Sequence, residues 1–187
     1  MKNIKVIVIG GSAGSFVVVS KILSELKPDF KPPIFLALHR LKNVSAGFEE
    51  ALNIKALHKV QSAIDKEIIK KEKVYIAPAN YHLLAEIGNT ISLSIDNQNY
   101  YSRPSIDIAF DSFSYVYKKN MLGIILSGAN SDGANGLHLA FQRGSYTIVQ
   151  DPEEAQVKTM PKSTLDLFNP HKVLNTNGII DFLNQLD

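Results

Sequence analysis

The chain has 187 residues, of which 45% are hydrophobic, with a formal net charge of +2 and no cysteine. This composition can bury the core of one domain, and it excludes disulfides, thiolate metal sites and a cysteine nucleophile. The balanced charge does not indicate a nucleic-acid or membrane surface, and the first residues match neither a signal peptide nor a membrane-spanning helix. We therefore expect a cytoplasmic protein of one domain.

Strands and helices are predicted to alternate along the chain. The hydrophobic pattern predicts strands at 4–9, 34–38, 74–77, 122–126 and 146–149, and helices at 16–26, near 47–53, and at 104–117, 136–142 and 179–186. Residues 83–87 and 91–95 read as an antiparallel hairpin at one edge of the main sheet. Pro104 is expected to open its helix, because proline at the first helical position forfeits no hydrogen bond. This alternation is typical of an α/β fold with a doubly wound, mostly parallel sheet and helices on both faces.

Three polar residues follow predicted core strands. Ser12 lies at the end of the first strand, His39 directly follows the second, and Asp132 lies in the glycine-rich loop after the strand at 122–126. The carboxyl ends of parallel strands meet at one edge of the sheet, so these side chains are expected to gather there. A serine, a histidine and an aspartate at one edge indicate a nucleophile, a base and an orienting acid.

The segment Gly10-Gly11-Ser12-Ala13-Gly14 satisfies the G-x-S-x-G pattern between a strand and a helix. Small residues on both sides let the chain turn sharply, which projects Ser12 into solvent and leaves backbone N–H groups for an oxyanion. The alternative is a glycine-rich turn that binds phosphate at a helix N-terminus. The segment lacks the lysine of a P-loop and the spacing of a dinucleotide site, and by itself it leaves both interpretations open.

His39 is the preferred base, because consecutive strands of a βαβ unit usually lie side by side and its strand follows that of Ser12. The other histidines close no metal-ligand spacing and are expected to be structural or solvated; they are His58, His82, His138 and His171.

Two aspartates compete for the role of the acid. Asp132 has glycines on either side, as in a tight active-site loop, whereas Asp151 precedes a proline and fits turn chemistry. Both follow core strands, and spacing alone does not choose between them.

Seven blocks of sequence, spread over nearly the whole chain, occur together in one known family. They are Ile9-Gly10-Gly11-Ser12-Ala13-Gly14, Leu38-His39, Tyr75-Ile76-Ala77-Pro78, Arg103-Pro104-Ser105-Ile106-Asp107, the segment from Leu126 to Ala134, Val149-Gln150-Asp151-Pro152 and Met160-Pro161. In this order they resemble the catalytic domain of the chemotaxis protein-glutamate methylesterases, the CheB-type methylesterases. The resemblance implies that Ser12 is the nucleophile, His39 the base and Asp132 the acid, which favours Asp132 over Asp151.

The resemblance also implies an oxyanion hole, which we assign to the backbone N–H groups of Ala13 and Ala129. Many family members have Thr-Gly-Gly after the serine, where this chain has Ala13-Gly14-Ser15, and Ala129 replaces a common methionine. A hydroxyl that could support the histidine is therefore absent, which bears on the rate more than on the type of reaction.

The resemblance implies a serine hydrolase that removes methyl esters from glutamate side chains on the cytoplasmic helical bundle of a methylated chemoreceptor, and that also deamidates glutamines. We expect one methylesterase catalytic domain over residues 1–187, with no receiver domain. A receiver domain in cis or in trans is then the regulatory partner. No metal, organic cofactor, nucleic acid or membrane insertion is expected. The alternative function is a non-catalytic module of the same fold that binds a phosphate or nucleotide at the turn after the first strand.

Overall fold

A seven-stranded parallel sheet lies at the centre of the computed structural model, which describes residues 3–39, 47–97 and 102–186. Its strands are β1 (Val6–Gly11), β2 (Ile34–Leu38), β3 (Val60–Ser62), β4 (Val74–Ile76), β7 (Met121–Ile125), β8 (Tyr146–Gln150) and β9 (Lys172–Leu174). They run in the order β3-β4-β2-β1-β7-β8-β9, and each neighbouring pair is parallel. The remaining strands, β5 (His82–Glu86) and β6 (Thr90–Ser94), form an antiparallel hairpin.

Helices cover both faces of the sheet, as predicted. They are α1 (Ser15–Glu25), α2 (Phe48–Asn53), α3 (Ile106–Tyr117), α4 (Ala134–Gln142), α5 (Thr159–Leu167) and α6 (Thr176–Asn184). Side chains alternate between the two faces of β1 and are buried on both: Ile7 and Ile9 pack with α1 and α6, whereas Val6 and Val8 pack with α3 and α4. The predicted doubly wound α/β fold is confirmed.

The hairpin forms a separate sheet and does not extend an edge of the main one, so its predicted placement is corrected. Its backbone pairs elsewhere. Ser112 of α3 accepts a hydrogen bond from Ala85 N (3.0 Å) and donates one to Ala85 O (3.1 Å). On the other strand, Ile91 exchanges backbone hydrogen bonds with Lys66 and Glu67. These contacts occupy backbone groups on the outer edge of each hairpin strand.

The start of α3 also differs from the prediction. Pro104 does not open the helix, because Ser105 is the N-cap and its side chain accepts a hydrogen bond from Ile108 N at 3.3 Å. The cap sets the first helical residue at Ile106, two residues later than predicted. The sequence prediction also omitted β3, α5 and β9. Among the described residues, no helix is long and apolar enough to cross a membrane.

The order of the strands places a crevice beside β1. The chain runs from β1 to β2 on one side of the sheet, and later returns to β7 on the other side of β1. Open α/β sheets bind their ligands at such a change of direction, outside the carboxyl ends of the strands. The residues that follow β1, β2 and β7 therefore lie where this fold places its sites.

Helices α3 and α4 approach closely at Gly136. A Cβ atom there would lie 2.5 Å from the backbone oxygen of Asp107 and 2.7 Å from its Cα. Both are backbone atoms of a packed helix, so they cannot rotate away. A residue without a side chain is therefore required where the two helices meet.

We predict that Gly136→Ala lowers the free energy of unfolding by about 1–3 kcal/mol, because the added methyl group forces α3 and α4 apart. Gly178→Ala is the matched control: Gly178 is likewise the third residue of its helix, α6, and a Cβ atom there would lie 3.2 Å from its nearest neighbour, Asn175 Oδ1. The control is expected to change stability by less than about 1 kcal/mol. Urea unfolding of both variants, followed by circular dichroism, measures the difference, and equal losses would contradict this explanation.

Candidate active site

Ser12 and His39 follow neighbouring strands at the same register. Gly11 at the end of β1 pairs with Leu38 at the end of β2, so the next residue of each strand is Ser12 or His39. The backbone N–H of His39 donates to Gly11 O at 3.0 Å, which continues the pairing past the strand ends. The parallel register therefore places the two residues side by side, as the sequence predicted.

The glycines before and after Ser12 serve different purposes. Gly10 and Gly11 belong to β1, and a Cβ atom on Gly10 would lie 2.2 Å from the Ile106 side chain of α3. Gly14 has a φ of +80°, so it is the residue that allows the sharp turn into α1. Close packing of a helix thus requires the first glycine, and backbone conformation the last.

His39 contacts Asp132 directly. Its Nε2 lies 2.7 Å from Asp132 Oδ2; the side chain of His39 is 9% exposed and that of Asp132 is fully buried. Asp151 lies in a turn where its Oδ1 accepts from Glu153 N at 2.9 Å. Of the two aspartates that the sequence left open, the structure brings Asp132 to the histidine.

The Asp132 carboxylate accepts four hydrogen bonds. Oδ1 accepts from Ser105 Oγ at 3.0 Å and from Asp107 N at 2.9 Å, while Oδ2 accepts from Ile106 N at 2.8 Å and from His39 at 2.7 Å. Two of these donors are backbone N–H groups of the first turn of α3, where the helix dipole also favours a negative charge. Every contact supplies a proton to the carboxylate, so its orientation is fixed on all sides.

The contact with Asp132 also determines which ring nitrogen of His39 remains for chemistry. Because the carboxylate is an acceptor, Nε2 carries the proton that it receives, and Nδ1 is the unprotonated nitrogen of the neutral ring. Among the described residues, no hydrogen bond links the Ser12 hydroxyl to this ring. If His39 acts as a base, the nitrogen that can take a proton is therefore Nδ1, the one nearer the backbone.

The peptide between Ser12 and Ala13 is oriented by its carbonyl group. Ser12 O accepts from the backbone N–H of Ser15 at 3.0 Å and from the Ser15 hydroxyl at 2.6 Å. In a trans peptide the N–H points opposite to the C=O, so the N–H of Ala13 is directed away from α1. The hydroxyl of Ser15 therefore helps to fix this peptide.

A second peptide is held in the same way on the loop after β7. Gly128 O accepts from Met160 N at 3.0 Å, so the N–H of Ala129 is directed away from α5. Ala13 and Ala129 are both exposed, and no hydrogen bond of the described residues uses either N–H. Both groups are available to bind an anion.

A second buried carboxyl group lies beside Asp132. Asp107 Oδ1 accepts from Gly136 N in the first turn of α4 at 2.7 Å. Burial raises the pKa of the Asp107 carboxyl from 3.8 to about 6, and the charge of Asp132 acts in the same direction. The hydrogen bonds at the start of α4 lower this pKa but do not offset the rise. Asp132, from the loop before α4, thus binds the N-terminus of α3, while Asp107, from α3, binds the N-terminus of α4.

The other histidines have structural partners. His58 Nε2 contacts Lys27 O, His82 accepts from Ser105 N at 3.1 Å, His138 stacks on Phe168, and His171 contacts Thr147. Within 3–39, 47–97 and 102–186, no three His, Asp or Glu side chains form a group that could hold a metal ion.

Three residues that contact the site had no predicted role. Ser105 and Asp107 surround Asp132, and Ser127 contacts the turn that carries Ser12. All three lie in the sequence blocks that carry the family resemblance. Their positions were therefore visible in the sequence, but their contacts depend on helices and loops that meet only in the folded chain.

Known proteins resemble this chain in sequence and in structure. The sequence model of the CheB methylesterase family matches residues 7–183. The chain belongs to the CheB methylesterase family. The family predicted from the sequence blocks is thereby confirmed.

Individual relatives agree with the family. A Leptospira interrogans protein, named as a putative protein-glutamate methylesterase/protein-glutamine glutaminase, is 39% identical over 185 residues, which are 99% of this chain and 96% of that protein. A Methanococcus maripaludis protein-glutamate methylesterase/protein-glutamine glutaminase is 32% identical over 177 residues, and the match covers 92% of this chain but 48% of that protein. The crystal structure of the Thermotoga maritima CheB methylesterase catalytic domain superimposes with a TM-score of 0.93 at 28% identity, covering 97% of this chain and 98% of that one.

The raised pKa of Asp107 predicts a pH dependence of stability in this methylesterase-family chain. Between pH 3.8 and about 6 the folded chain keeps the Asp107 proton that the unfolded chain releases. The contribution of Asp107 to stability is therefore fully present below pH 3.8 and is lost as the pH rises through about 6.

Asp107→Asn removes this titration. The stability of the variant relative to the wild type is expected to increase by on the order of 2–3 kcal/mol from about pH 4 to about pH 7. Urea unfolding at both pH values measures the change. Asp181→Asn is the control: Asp181 is exposed on α6, so this variant measures the effect of removing a surface carboxylate. A stability difference between Asp107→Asn and wild type that does not change with pH would contradict the prediction.

Proposed function

We propose that the chain is a protein-glutamate methylesterase whose catalytic triad is Ser12, His39 and Asp132. The observation that carries the proposal is the buried Asp132 carboxylate, which contacts His39 at 2.7 Å while three donors from residues 105–107 hold it in place. An aspartate held in this way fixes the tautomer of the imidazole and stabilises the imidazolium that forms during catalysis. Ser12 directly follows β1 at the position that matches His39 after β2, so its hydroxyl is the group from which this base takes a proton.

In the first half of the reaction, the Ser12 hydroxyl attacks the ester carbonyl carbon while His39 Nδ1 takes its proton. The carbonyl oxygen becomes an oxyanion, which the N–H groups of Ala13 and Ala129 bind, each contributing on the order of 3 kcal/mol. The C–O bond to the methoxy group then breaks, and the imidazolium returns the proton to the leaving oxygen. The products are methanol and an acyl-enzyme on Ser12.

In the second half, water attacks the acyl-enzyme and His39 again takes the proton. The bond to Ser12 breaks, the serine regains its proton from the imidazolium, and a glutamate side chain is released. A glutamine side chain would form the same acyl-enzyme with loss of ammonia. This accounts for a second, deamidating activity without any further catalytic group.

The rim of the site suits a side chain presented by a folded protein. Ala13, Val17, Ala129 and Gln156 are all exposed around the turn and the loop after β7. Such an open rim admits a residue on the surface of a helix, and contacts made far from the ester can supply binding energy that a small ester lacks. We assign the substrate to the cytoplasmic helical bundle of a methylated chemoreceptor, and regulation to a receiver domain in cis or in trans.

One pair of variants tests whether Asp132 or Asp151 is the acid. Asp132→Asn replaces an oxygen with an NH2 group that must face either His39 and Ile106 N or Ser105 and Asp107 N, all of which are donors. Methylesterase kcat is expected to fall by on the order of 10³–10⁴. Asp151→Asn keeps the acceptor of its turn and is expected to retain kcat within about twofold. A loss in Asp151→Asn with an active Asp132→Asn would reverse the assignment.

Coupling between the nucleophile and the base gives another prediction. Ser12→Ala and His39→Ala are each expected to reduce kcat by at least about 10³-fold, and the double variant by no more than either one, because residues that act as a unit are not additive. Ser15→Gly is the control and is expected to be tolerated, because it removes the hydroxyl hydrogen bond to Ser12 O but keeps the one from the backbone N–H of residue 15. Additive losses for Ser12 and His39 would indicate a binding site instead of a catalytic pair.

The proposed activity is tested by incubating the chain with receptor membranes that carry labelled methyl esters and measuring released methanol. Wild type is expected to release methanol and to react at Ser12 with a serine-directed phosphonate, while Ser12→Ala does neither. Long-chain esters are expected to be poor substrates, because the rim residues that the structure describes are exposed and enclose no apolar site. If the wild type releases no methanol and Ser12 is unmodified by the phosphonate, the phosphate-binding alternative takes the place of the esterase.

A further inference from the structure

Ser127, in the loop between β7 and α4, connects three loops at the carboxyl edge of the sheet. It is fully buried. Its N–H donates to Gln150 Oε1 at 2.8 Å and its carbonyl accepts from Ser12 N at 2.9 Å. Its hydroxyl accepts from Val157 N at 2.9 Å and donates to Ala13 O at 2.7 Å. Each polar group of Ser127 is therefore bonded to a different residue of the site edge.

The hydroxyl proton of Ser127 is directed to Ala13. The contact with Ala13 O is 2.7 Å, whereas the other nearby acceptor, Val157 O, is 3.2 Å away and already accepts from Gly128 N at 3.0 Å. A hydroxyl has one proton, and the shorter contact with the less occupied acceptor receives it.

These bonds bracket the peptide that carries the first oxyanion donor. The carbonyl of Ser127 holds the peptide before Ser12, and its hydroxyl holds the peptide after Ala13. The Ser12–Ala13 peptide lies between the two. Ser127 is also two residues before Ala129, so the same residue is joined to both halves of the proposed oxyanion hole.

We propose that Ser127 is a positioning residue whose hydroxyl fixes the distance and angle between the N–H groups of Ala13 and Ala129. The proposal rests on the proposed esterase function. A pair of donors stabilises an oxyanion only when both point at the place where its charge develops, so a small displacement of one reduces the rate without weakening substrate binding. Gly14 shows how little space the turn has, since a Cβ atom there would lie 2.7 Å from Ser127 Oγ.

Ser127→Ala removes the hydroxyl and leaves the backbone bonds of residue 127 in place. We expect kcat for methanol release to fall about 10- to 100-fold with KM changed less than about twofold, and the rate of phosphonate labelling at Ser12 to fall in parallel. The matched control is Ser145→Ala. Ser145 is also fully buried and donates to a backbone carbonyl, Lys118 O, at 2.8 Å, but it precedes β8 at the opposite edge of the sheet. Its kcat is expected to equal that of the wild type at a similar loss of thermal stability.

If Ser127→Ala does not fold, Ser127→Cys replaces it in the same comparison, because a thiol has nearly the same shape and is only a weak donor. A kcat within twofold of wild type in the folded variant, a change in KM alone, or an equal loss of kcat in Ser145→Ala would overturn the proposal. Failure of the esterase function itself is distinguished by the wild type, which would then release no methanol and show no labelling of Ser12.

Discussion

The site depends on the placement of one buried carboxylate at the start of one helix. Asp132 accepts hydrogen bonds from two backbone N–H groups in the first turn of α3, and Asp107 of that same turn accepts one from an N–H in the first turn of α4. The N-terminus of α3 is thus bonded by a carboxylate from the loop before α4, and the N-terminus of α4 by a carboxylate from α3. Burying a charge without partners is costly, so this arrangement holds only while α3 and α4 remain closely packed. Gly136, which lets the two backbones touch, is therefore needed to keep the Asp132 carboxylate in place.

The sheet edge that carries the proposed catalytic residues is held by backbone hydrogen bonds more than by side chains. Strand pairing places Ser12 beside His39, and carbonyl groups that are held by α1 and α5 turn two N–H groups outward. Such groups need no reorganisation when charge develops on a substrate, which is the main advantage of a preorganised site. At Ala13 and Ala129 the backbone N–H group is the part of the residue that faces the site, whereas at Ser15 the side-chain hydroxyl also contributes by donating to Ser12 O.

Local patterns in the sequence were sufficient to predict the strands that matter and two of the three triad candidates. Ser12 and His39 each follow a buried strand directly, so parallel packing alone brings them together. Asp132 could not be separated from Asp151 by pattern, because the choice is made by the N-terminus of α3, a distant segment. The strands β3 and β9 have three residues each, and Lys172 and Val173 of β9 are exposed, so they leave little periodic signal. The hairpin was placed at a sheet edge for a similar reason: its true partners, Ser112 and residues 65–69, contact it only in three dimensions.

The orientation of the His39 ring has a consequence for how the proposed base moves. With Nε2 held by Asp132, the nitrogen proposed to take the proton is Nδ1, which is bonded to Cγ and lies close to the backbone of the strand end. Rotation of the whole ring about the bond between Cα and Cβ displaces this nitrogen less than it displaces Nε2. The proposed base nitrogen therefore lies near the axis of this rotation, and its position is set mainly by the main chain. The two ring nitrogens also lie at different distances from the backbone, since an asparagine amide extends about as far as Nδ1 and a glutamine amide about as far as Nε2. The ring thus has an inner nitrogen that is proposed to exchange protons and an outer nitrogen that is bonded to Asp132.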